Sequence, residues 1–240
     1  MKTTKKRNQG FTLIELLVVI TIMALLMSMA VPAYNTIQVK AAMNKDASNV
    51  RQILIGCSSF ASDWDGLFPS FDPDEQSKGG GGGGGEDSAF SSSNDAFNVL
   101  IPKYIDTESI FWYAMKPDKL RPPVEDGKLE AKECTYVYVT GQTNTSFSRS
   151  PLIADEMESA GTYGEYHPWL KQQKAVIGYV GGNVVTESLT TDQPGATVRT
   201  RDGQIQDIFQ KRSGGDDSGG GGGGGLLDTD TSNVLLPGGG

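Results

Sequence analysis

Histidine and cysteine, which supply many catalytic nucleophiles and metal ligands, are scarce in this chain. Its 240 residues contain one histidine, His167, and two cysteines, Cys57 and Cys134. His167 precedes a proline in an apparent loop, neither cysteine lies in a motif that would activate a thiolate, and no Gly-x-Ser-x-Gly sequence is present. Acidic neighbours such as Asp155 and Glu156 could act as catalytic groups, but nothing selects them. The composition therefore predicts a protein that is not an enzyme and carries no cofactor.

Basic residues are also too few for a nucleic-acid-binding surface. The chain has 21 Lys and Arg residues against 29 Asp and Glu residues, which gives a formal net charge of −8. Proteins that bind nucleic acid present a basic surface to the phosphates. The acidic balance therefore predicts no nucleic-acid partner.

One stretch near the N-terminus has no charge at all. From Leu16 to Val31 only Thr21 and Ser28 interrupt the apolar sequence. The first ten residues carry no acid and four basic side chains, those of Lys2, Lys5, Lys6 and Arg7. A bilayer-spanning helix needs about 20 apolar residues, and its cationic flank stays in the cytoplasm. The sequence thus predicts one membrane-spanning helix, with the C-terminal bulk of the chain outside the cytoplasm.

An acidic residue, Glu15, lies at the start of this apolar segment. A carboxylate within a membrane helix costs roughly 2.5–3.5 kcal/mol on insertion scales, so such an acid suggests a function. One alternative is a secretory signal with small residues near Ala30 and Ala33, but it explains neither Glu15 nor so long an apolar run. Snorkelling of Glu15 to the membrane interface is a further, partial explanation.

The residues Gly-Phe-Thr-Leu-Ile-Glu at positions 10–15, with Pro32 closing the run, resemble the prepilin signature of type IV pilins and type II secretion pseudopilins. The resemblance implies that prepilin peptidase cuts after Gly10 and methylates the new N-terminus, Phe11. It also implies that Glu15 meets the charged N-terminus of a neighbouring subunit and that the assembly helix kinks at Pro32. In a low dielectric such a pair offsets the cost of the carboxylate and sets the register between helices.

The chain is predicted to divide into four segments. These are a leader peptide at 1–10, a transmembrane and assembly helix at 11–32, an amphipathic continuation at 33–62 and a globular pilin-like head at 63–240. From Ile37 to Ala61 small and apolar residues recur at helical spacing, which indicates a face that packs on a sheet. Asp46 and Asn49 are assigned to the other faces of this helix. Gly66 is predicted to end it.

The head is predicted to contain a small, mainly antiparallel sheet, which makes the fold α+β. Four strand candidates lie at 134–140, 151–155, 174–180 and 183–186, and Gly181-Gly182 joins the last two in a hairpin. Asn94 is predicted to cap a short helix, and a helical pattern recurs within 198–212. The aromatic cluster at 104–113 is predicted to be core that packs on the long helix, with a ligand groove as the alternative.

Two glycine-rich stretches, 79–85 and 219–225, are predicted to be mobile loops, because nothing in them can bury a core. Calcium is a weak expectation near the second stretch, because major pseudopilins bind calcium in a C-terminal loop and carboxylates suit that ion. Its candidate ligands are Asp228 and Asp230, after Asp216 and Asp217. A glycine run separates the two pairs and no EF-hand spacing exists, so a solvated acidic loop is the alternative.

The two cysteines lie in the region predicted to be exported, where disulfides can form. Cys57 and Cys134 are on elements expected to pack together, which makes a disulfide between them possible. The alternative is a pair of buried thiols that pack as small apolar groups.

The resemblance therefore implies a structural protein, a prepilin held in the inner membrane by one helix, with its N-terminus in the cytoplasm and its head in the periplasm. Expected partners are prepilin peptidase, other pilin or pseudopilin subunits and an inner-membrane assembly platform. The product would be a type II secretion pseudopilus or a type IV pilus-like filament, periplasmic or extracellular. The alternative is a membrane-anchored exported binding module that forms no filament. Glu15 favours the filament, because an anchor alone has no need of it.

Overall fold

The structure is a computed structural model that describes residues 11–73, 90–113, 120–199, 207–212, 225–229 and 231–238. The chain divides into two compact units, residues 1–44 and residues 45–240. The first contains the N-terminal part of the long helix. The second contains the rest of that helix together with the sheet, and it is the unit called the head below.

The long helix, α1, spans Leu13–Asp63 and continues through Pro32, as predicted. It ends where two successive residues adopt left-handed backbone conformations, Asp65 (φ 49°) and Gly66 (φ 84°). The Gly66 N–H then donates to the Ala61 carbonyl over 2.8 Å, which closes the end of the helix. Gly66 is therefore the terminating residue that the sequence predicted. Its lack of a Cβ lets it adopt this conformation without strain.

A second, short helix, α2, spans Ser93–Asn98 and begins two residues earlier than predicted. Its N-cap is Ser92, whose hydroxyl accepts from the Asp95 N–H, while the Asp95 carboxylate accepts from the Ser92 N–H over 2.9 Å. The assignment of Asn94 as the cap is therefore wrong. Asn94 instead donates to the Glu130 carbonyl at 2.6 Å and accepts from the Gly238 N–H at 2.9 Å. These long-range partners outweigh the local capping preference of asparagine.

The head contains a six-stranded antiparallel sheet in the order β5-β4-β3-β2-β1-β6. Its strands are β1 (Tyr136–Val139), β2 (Pro151–Asp155), β3 (Lys174–Tyr179), β4 (Val184–Leu189), β5 (Val198–Arg199) and β6 (Val234–Leu235). Within the described residues, short 3-10 helices span Glu108–Phe111, Leu170–Gln172 and Thr231–Asn233. The α+β class and the hairpin between β3 and β4 are thus confirmed. All four strand candidates coincide with strands β1 to β4.

One face of the sheet packs against the head part of α1. The helix buries a stripe of residues there: Val50, Ile53, Leu54, Cys57, Phe60 and Ala61. The two elements meet most closely at Gly178 of β3, where an added Cβ would lie 2.8 Å from Val50 Cγ1 and 2.9 Å from Leu54 Cδ1. A side chain at that position would push the helix away from the sheet.

The opposite face of the sheet is also buried, against a second hydrophobic core. Val137 and Val139 of β1 belong to it, as alternation along a strand requires. C-terminal residues Ile208, Phe209 and Leu227 cover this core. The predicted helix in 198–212 is wrong for the described part, because Val198–Arg199 is a strand and 207–212 is a turn with one bridge residue. Tertiary burial of Ile208 and Phe209 overrides the weak helical pattern. Residues 200–206 lie outside the described part of the chain.

The aromatic cluster at 104–113 is core, as predicted. Ile105, Ile110, Phe111 and Tyr113 are buried. The Tyr104 ring meets Phe60 of α1 edge-on at a centroid distance of 5.6 Å, and the Tyr113 ring stacks on Trp169 at 5.7 Å. The cluster therefore joins α1 to the sheet, and its rings pack in the core.

Candidate processing and assembly site

Glu15 forms a capping box with Thr12 at the start of α1. Its Oε2 accepts from the Thr12 N–H at 2.8 Å and from the Thr12 hydroxyl at 2.6 Å. The Thr12 Oγ1 in turn accepts from the Glu15 N–H at 3.3 Å. These bonds satisfy donors that the first turn of a helix leaves free. The Thr-x-x-Glu spacing signals this box in the sequence, but the sequence analysis did not use it.

The first turns of α1 present a continuous apolar surface. The large apolar side chains from Phe11 to Val31 are exposed, from 40% at Val19 to 82% at Leu13. In the described part of the chain, α1 is the one helix long and apolar enough to cross a membrane by length and composition. Such a surface must be covered by lipid or by other apolar helices, because water would leave it unfavourably solvated.

The two polar residues within this run have their hydrogen bonds satisfied by the helix itself. The Thr21 hydroxyl donates to the Val18 carbonyl at 2.8 Å, and the Ser28 hydroxyl donates to the Leu25 carbonyl at 2.7 Å. Neither hydroxyl proton therefore needs a partner from outside the helix. Glu15 is the one charged side chain between Phe11 and Val31.

Among known families, the model of the prokaryotic N-terminal methylation motif matches residues 5–31. No curated protein and no solved structure matches the chain. The match covers three of the four basic residues of the flank, Gly10-Phe11, the capping box and the apolar run from Leu16 to Val31. The chain thus carries the motif that is the hallmark of the type IV pilin and pseudopilin family.

This motif supports a pilin-like precursor that is processed by prepilin peptidase and assembles with other pilin subunits. The family it marks is structural rather than enzymatic. The apolar helix fits a pilin anchored in the inner membrane.

The residues assigned to processing and assembly occupy different parts of this site. Phe11 is exposed just before the helix, next to the capping box. Pro32 lies within the uninterrupted helix. Gly10 and the rest of the 1–10 leader are outside the described residues, as are the first glycine-rich stretch and all but Gly225 of the second.

The two cysteines are buried and free, which corrects the expectation of a Cys57–Cys134 disulfide. Cys57 belongs to the buried stripe of α1. Cys134 Sγ lies 3.8 Å from the Ser93 hydroxyl and donates to the Tyr136 carbonyl at 3.5 Å. Burial raises the pKa of the Cys134 thiol to about 12, and it raises the pKa of Cys57 further. Both thiols therefore stay protonated and unreactive in the folded head.

Thiol labelling should reveal this state directly. Native protein purified without reductant should take up no thiol reagent at neutral pH, because both sulfurs are buried. The same protein unfolded in denaturant without reductant should take up two equivalents, measured by intact mass. Uptake that begins only after reduction would show that the cysteines are bonded.

Metal binding by the C-terminal acids gains no support from their surroundings. Asp228 accepts a short hydrogen bond from the Phe147 N–H, and its own N–H donates to the Ser150 hydroxyl at 3.4 Å. Within the described residues no group of three or more His, Cys, Asp or Glu side chains could hold a metal ion. Asp216, Asp217 and Asp230 lie outside these residues.

His167 has a structural position. Its Nε2 and the Lys174 carbonyl oxygen are 2.7 Å apart, at the start of β3, and its ring contacts Tyr163 at a centroid distance of 4.5 Å. Burial lowers the pKa of His167 to about 4. The side chain is therefore neutral at physiological pH and helps hold the loop before β3 in place.

Two buried acids in the head were missed by the sequence analysis. Asp46 was assigned to an outer face of α1, and Asp155 was placed in a strand and named only as one acidic neighbour that nothing selects, yet both are fully buried. The same error affects Asn49, which is 5% exposed. A signal for Asp46 was present, because it precedes Val50 by four residues and Ile53 by seven and so continues their helical stripe.

Proposed function

We propose that this chain is a prepilin or pseudopilin that is cleaved after Gly10 and methylated at Phe11, and then polymerises through its N-terminal helix. The filament would be a type II secretion pseudopilus or a type IV pilus-like fibre. Glu15 would meet the Phe11 ammonium of a neighbouring subunit, and the helix around Pro32 would take part in the packing between subunits.

The observation that carries this proposal is the composition of the exposed surface of α1. This surface carries the methylation motif and a long apolar face. The Thr21 and Ser28 hydroxyls within that face already donate hydrogen bonds to carbonyls of the same helix. Helix packing in an apolar environment then leaves one strongly polar group, the Glu15 carboxylate, for recognition of another subunit. A cationic N-terminus is the complementary group that peptidase cleavage creates.

The route to the filament would begin at the inner membrane. The basic leader keeps the N-terminus in the cytoplasm, where the peptidase acts, and the head reaches the periplasm. An assembly platform would then pass the processed subunit from lipid into the helical core of the filament. In both places α1 stays in apolar surroundings, so the transfer exposes no apolar surface to water.

Filaments sheared from the native cell provide the test. Electron microscopy of the sheared fraction, with mass spectrometry of its subunits, should find this chain starting at N-methylated Phe11. A fraction inside the cell envelope indicates a pseudopilus, and a surface fraction indicates a pilus. Recovery of the processed chain only as a membrane-bound monomer, with no sister pilins attached, would contradict the proposal and favour an anchored binding module.

A further inference from the structure

The head contains a buried pair of carboxyl groups that joins α1 to the sheet. Asp46 lies on the helix, one residue after the head begins. Its Oδ1 accepts from the Tyr136 hydroxyl at 2.7 Å and its Oδ2 accepts from the Trp169 Nε1–H at 2.8 Å. Both donors are themselves buried. One carboxylate thus connects the helix to β1 and to the segment before β3.

The second carboxyl of the pair, Asp155, ends strand β2 and neighbours the Asp46 carboxyl. Its Oδ2 accepts from the Val176 N–H of β3 at 2.7 Å. Its Oδ1 is buried, and no hydrogen-bond donor in the described part of the chain reaches it. A buried carboxylate oxygen without a partner destabilises the fold, because it has lost its hydration and gained no hydrogen bond in return.

One bound proton would give the unpaired Asp155 oxygen a hydrogen-bond partner. Two ionised carboxylates accept hydrogen bonds but donate none, so their contact would be repulsive and would leave Asp155 Oδ1 unsatisfied. If Asp155 carries a proton on Oδ1, that oxygen donates to Asp46. Asp46 then accepts from three donors as a carboxylate, and every oxygen of the pair has a partner.

We propose that Asp155 and Asp46 form a proton-binding site in which one bound proton, held by Asp155, fastens the long helix to the sheet and makes the stability of the head depend on pH. The bond that forms is a hydrogen bond from the Asp155 hydroxyl to the Asp46 carboxylate. Loss of the proton to water replaces it with two like charges in a buried site.

The groups around the pair are compatible with this site. Tyr113, Tyr136 and Tyr163 surround it, and burial raises the pKa of each phenol well above its ordinary value, so all three remain neutral. In the described part of the chain, further titratable neighbours are Glu156, which is buried beside Asp155, and His167, whose pKa burial lowers to about 4. His167 is therefore neutral in the folded protein at neutral pH, and in the unfolded chain it titrates near its ordinary pKa of about 6.5.

The sign of the pH dependence follows from the geometry and the burial. Burial, followed by the charge of Asp46, raises the pKa of Asp155 well above its ordinary value. The folded head therefore retains a proton that the unfolded chain releases above about pH 4. The stability that this proton supplies is complete below that pH and falls as the pH rises toward the folded pKa. His167 acts in the opposite direction, because its lowered pKa reduces stability as the pH falls from 6.5 toward 4.

The test compares the processed full-length protein in detergent micelles with its Asp155→Asn variant. Asparagine can accept from the Val176 N–H and donate to Asp46, so it reproduces the protonated state permanently. Between pH 6.5 and 7.5 the unfolding equilibrium constant of the wild type, followed by tryptophan fluorescence in denaturant, should rise more steeply with pH than that of the variant, with about tenfold per pH unit as the limit for one retained proton. His167 is present in both proteins, so its titration cancels in this comparison, and the window lies below the titration of the buried thiols.

Infrared spectroscopy of the carboxyl carbonyl provides a second readout. Wild-type protein at pH 7.5 should show a protonated carboxyl band, and Asp155→Asn should lack that band. Glu156→Gln, which changes the adjacent buried acid, is the matched control and should keep both this band and the wild-type pH slope. Equal pH slopes in wild type and Asp155→Asn would overturn the proposal. A wild-type spectrum without the band would overturn it as well, whether or not the variant folds.

Discussion

Processed protein carrying Glu15→Leu should accumulate in the inner membrane and form almost no filaments. Insertion should become easier by roughly the 2.5–3.5 kcal/mol that a central charge costs, and cleavage after Gly10 should be normal. Assembly should fail, because the Phe11 ammonium of each added subunit would be buried without its partner. Removing one member of a buried ion pair costs about 3–5 kcal/mol, a factor of roughly 150 to 5,000 in each subunit contact. Filament yield at equal levels of processed subunit is the measurement.

The capping box requires a control, because Glu15→Leu also removes two hydrogen bonds with Thr12. Glu15→Gln is the matched variant. Glutamine can still cap the helix from this position, but it carries no charge. If the charge pairs with a neighbour, Glu15→Gln should fail to assemble almost as completely as Glu15→Leu.

Two results would separate the roles of Glu15. Normal filaments from Glu15→Gln, with none from Glu15→Leu, would show that capping is the essential role. Normal filaments from both variants would remove Glu15 from the assembly mechanism.

Replacement of the residue before the cleavage point should abolish processing. In Gly10→Val a bulky β-branched side chain occupies the position where the prepilin signature has glycine. Intact-mass analysis of the membrane fraction should find the full leader attached and no N-methyl group. Because cleavage is required to create the Phe11 amine, the same variant should also give no filaments.

A control for this prediction changes a residue of the leader that the signature does not specify. Gln9→Val adds a similar β-branched side chain one position earlier, and the protein should still start at Phe11. Cleavage of Gly10→Val at the normal position, or cleavage of the wild type near Ala33, would contradict the prepilin interpretation.

Local sequence patterns were sufficient to predict much of the secondary structure of this protein. The unbroken apolar run predicted a helix that continues through Pro32, and Gly66 marked its end. Runs of β-branched and aromatic residues predicted four of the six strands. The motif at positions 10–15 was sufficient for the family resemblance. Each of these features depends on residues that are neighbours along the chain, so a single sequence contains the information.

The tertiary structure alone decided which polar groups are buried and what they contact. Asp46 is joined to Tyr136 and Trp169, which are 90 and 123 residues away in the sequence. Each of the two cysteines is buried as a free thiol among its own neighbours. Ile208 and Phe209 belong to the core on one face of the sheet, although their spacing in the sequence suggested a helix. The free energies of such contacts come from burial and from hydrogen bonds between distant segments. Those terms exceed the few tenths of a kcal/mol per residue by which local propensities differ.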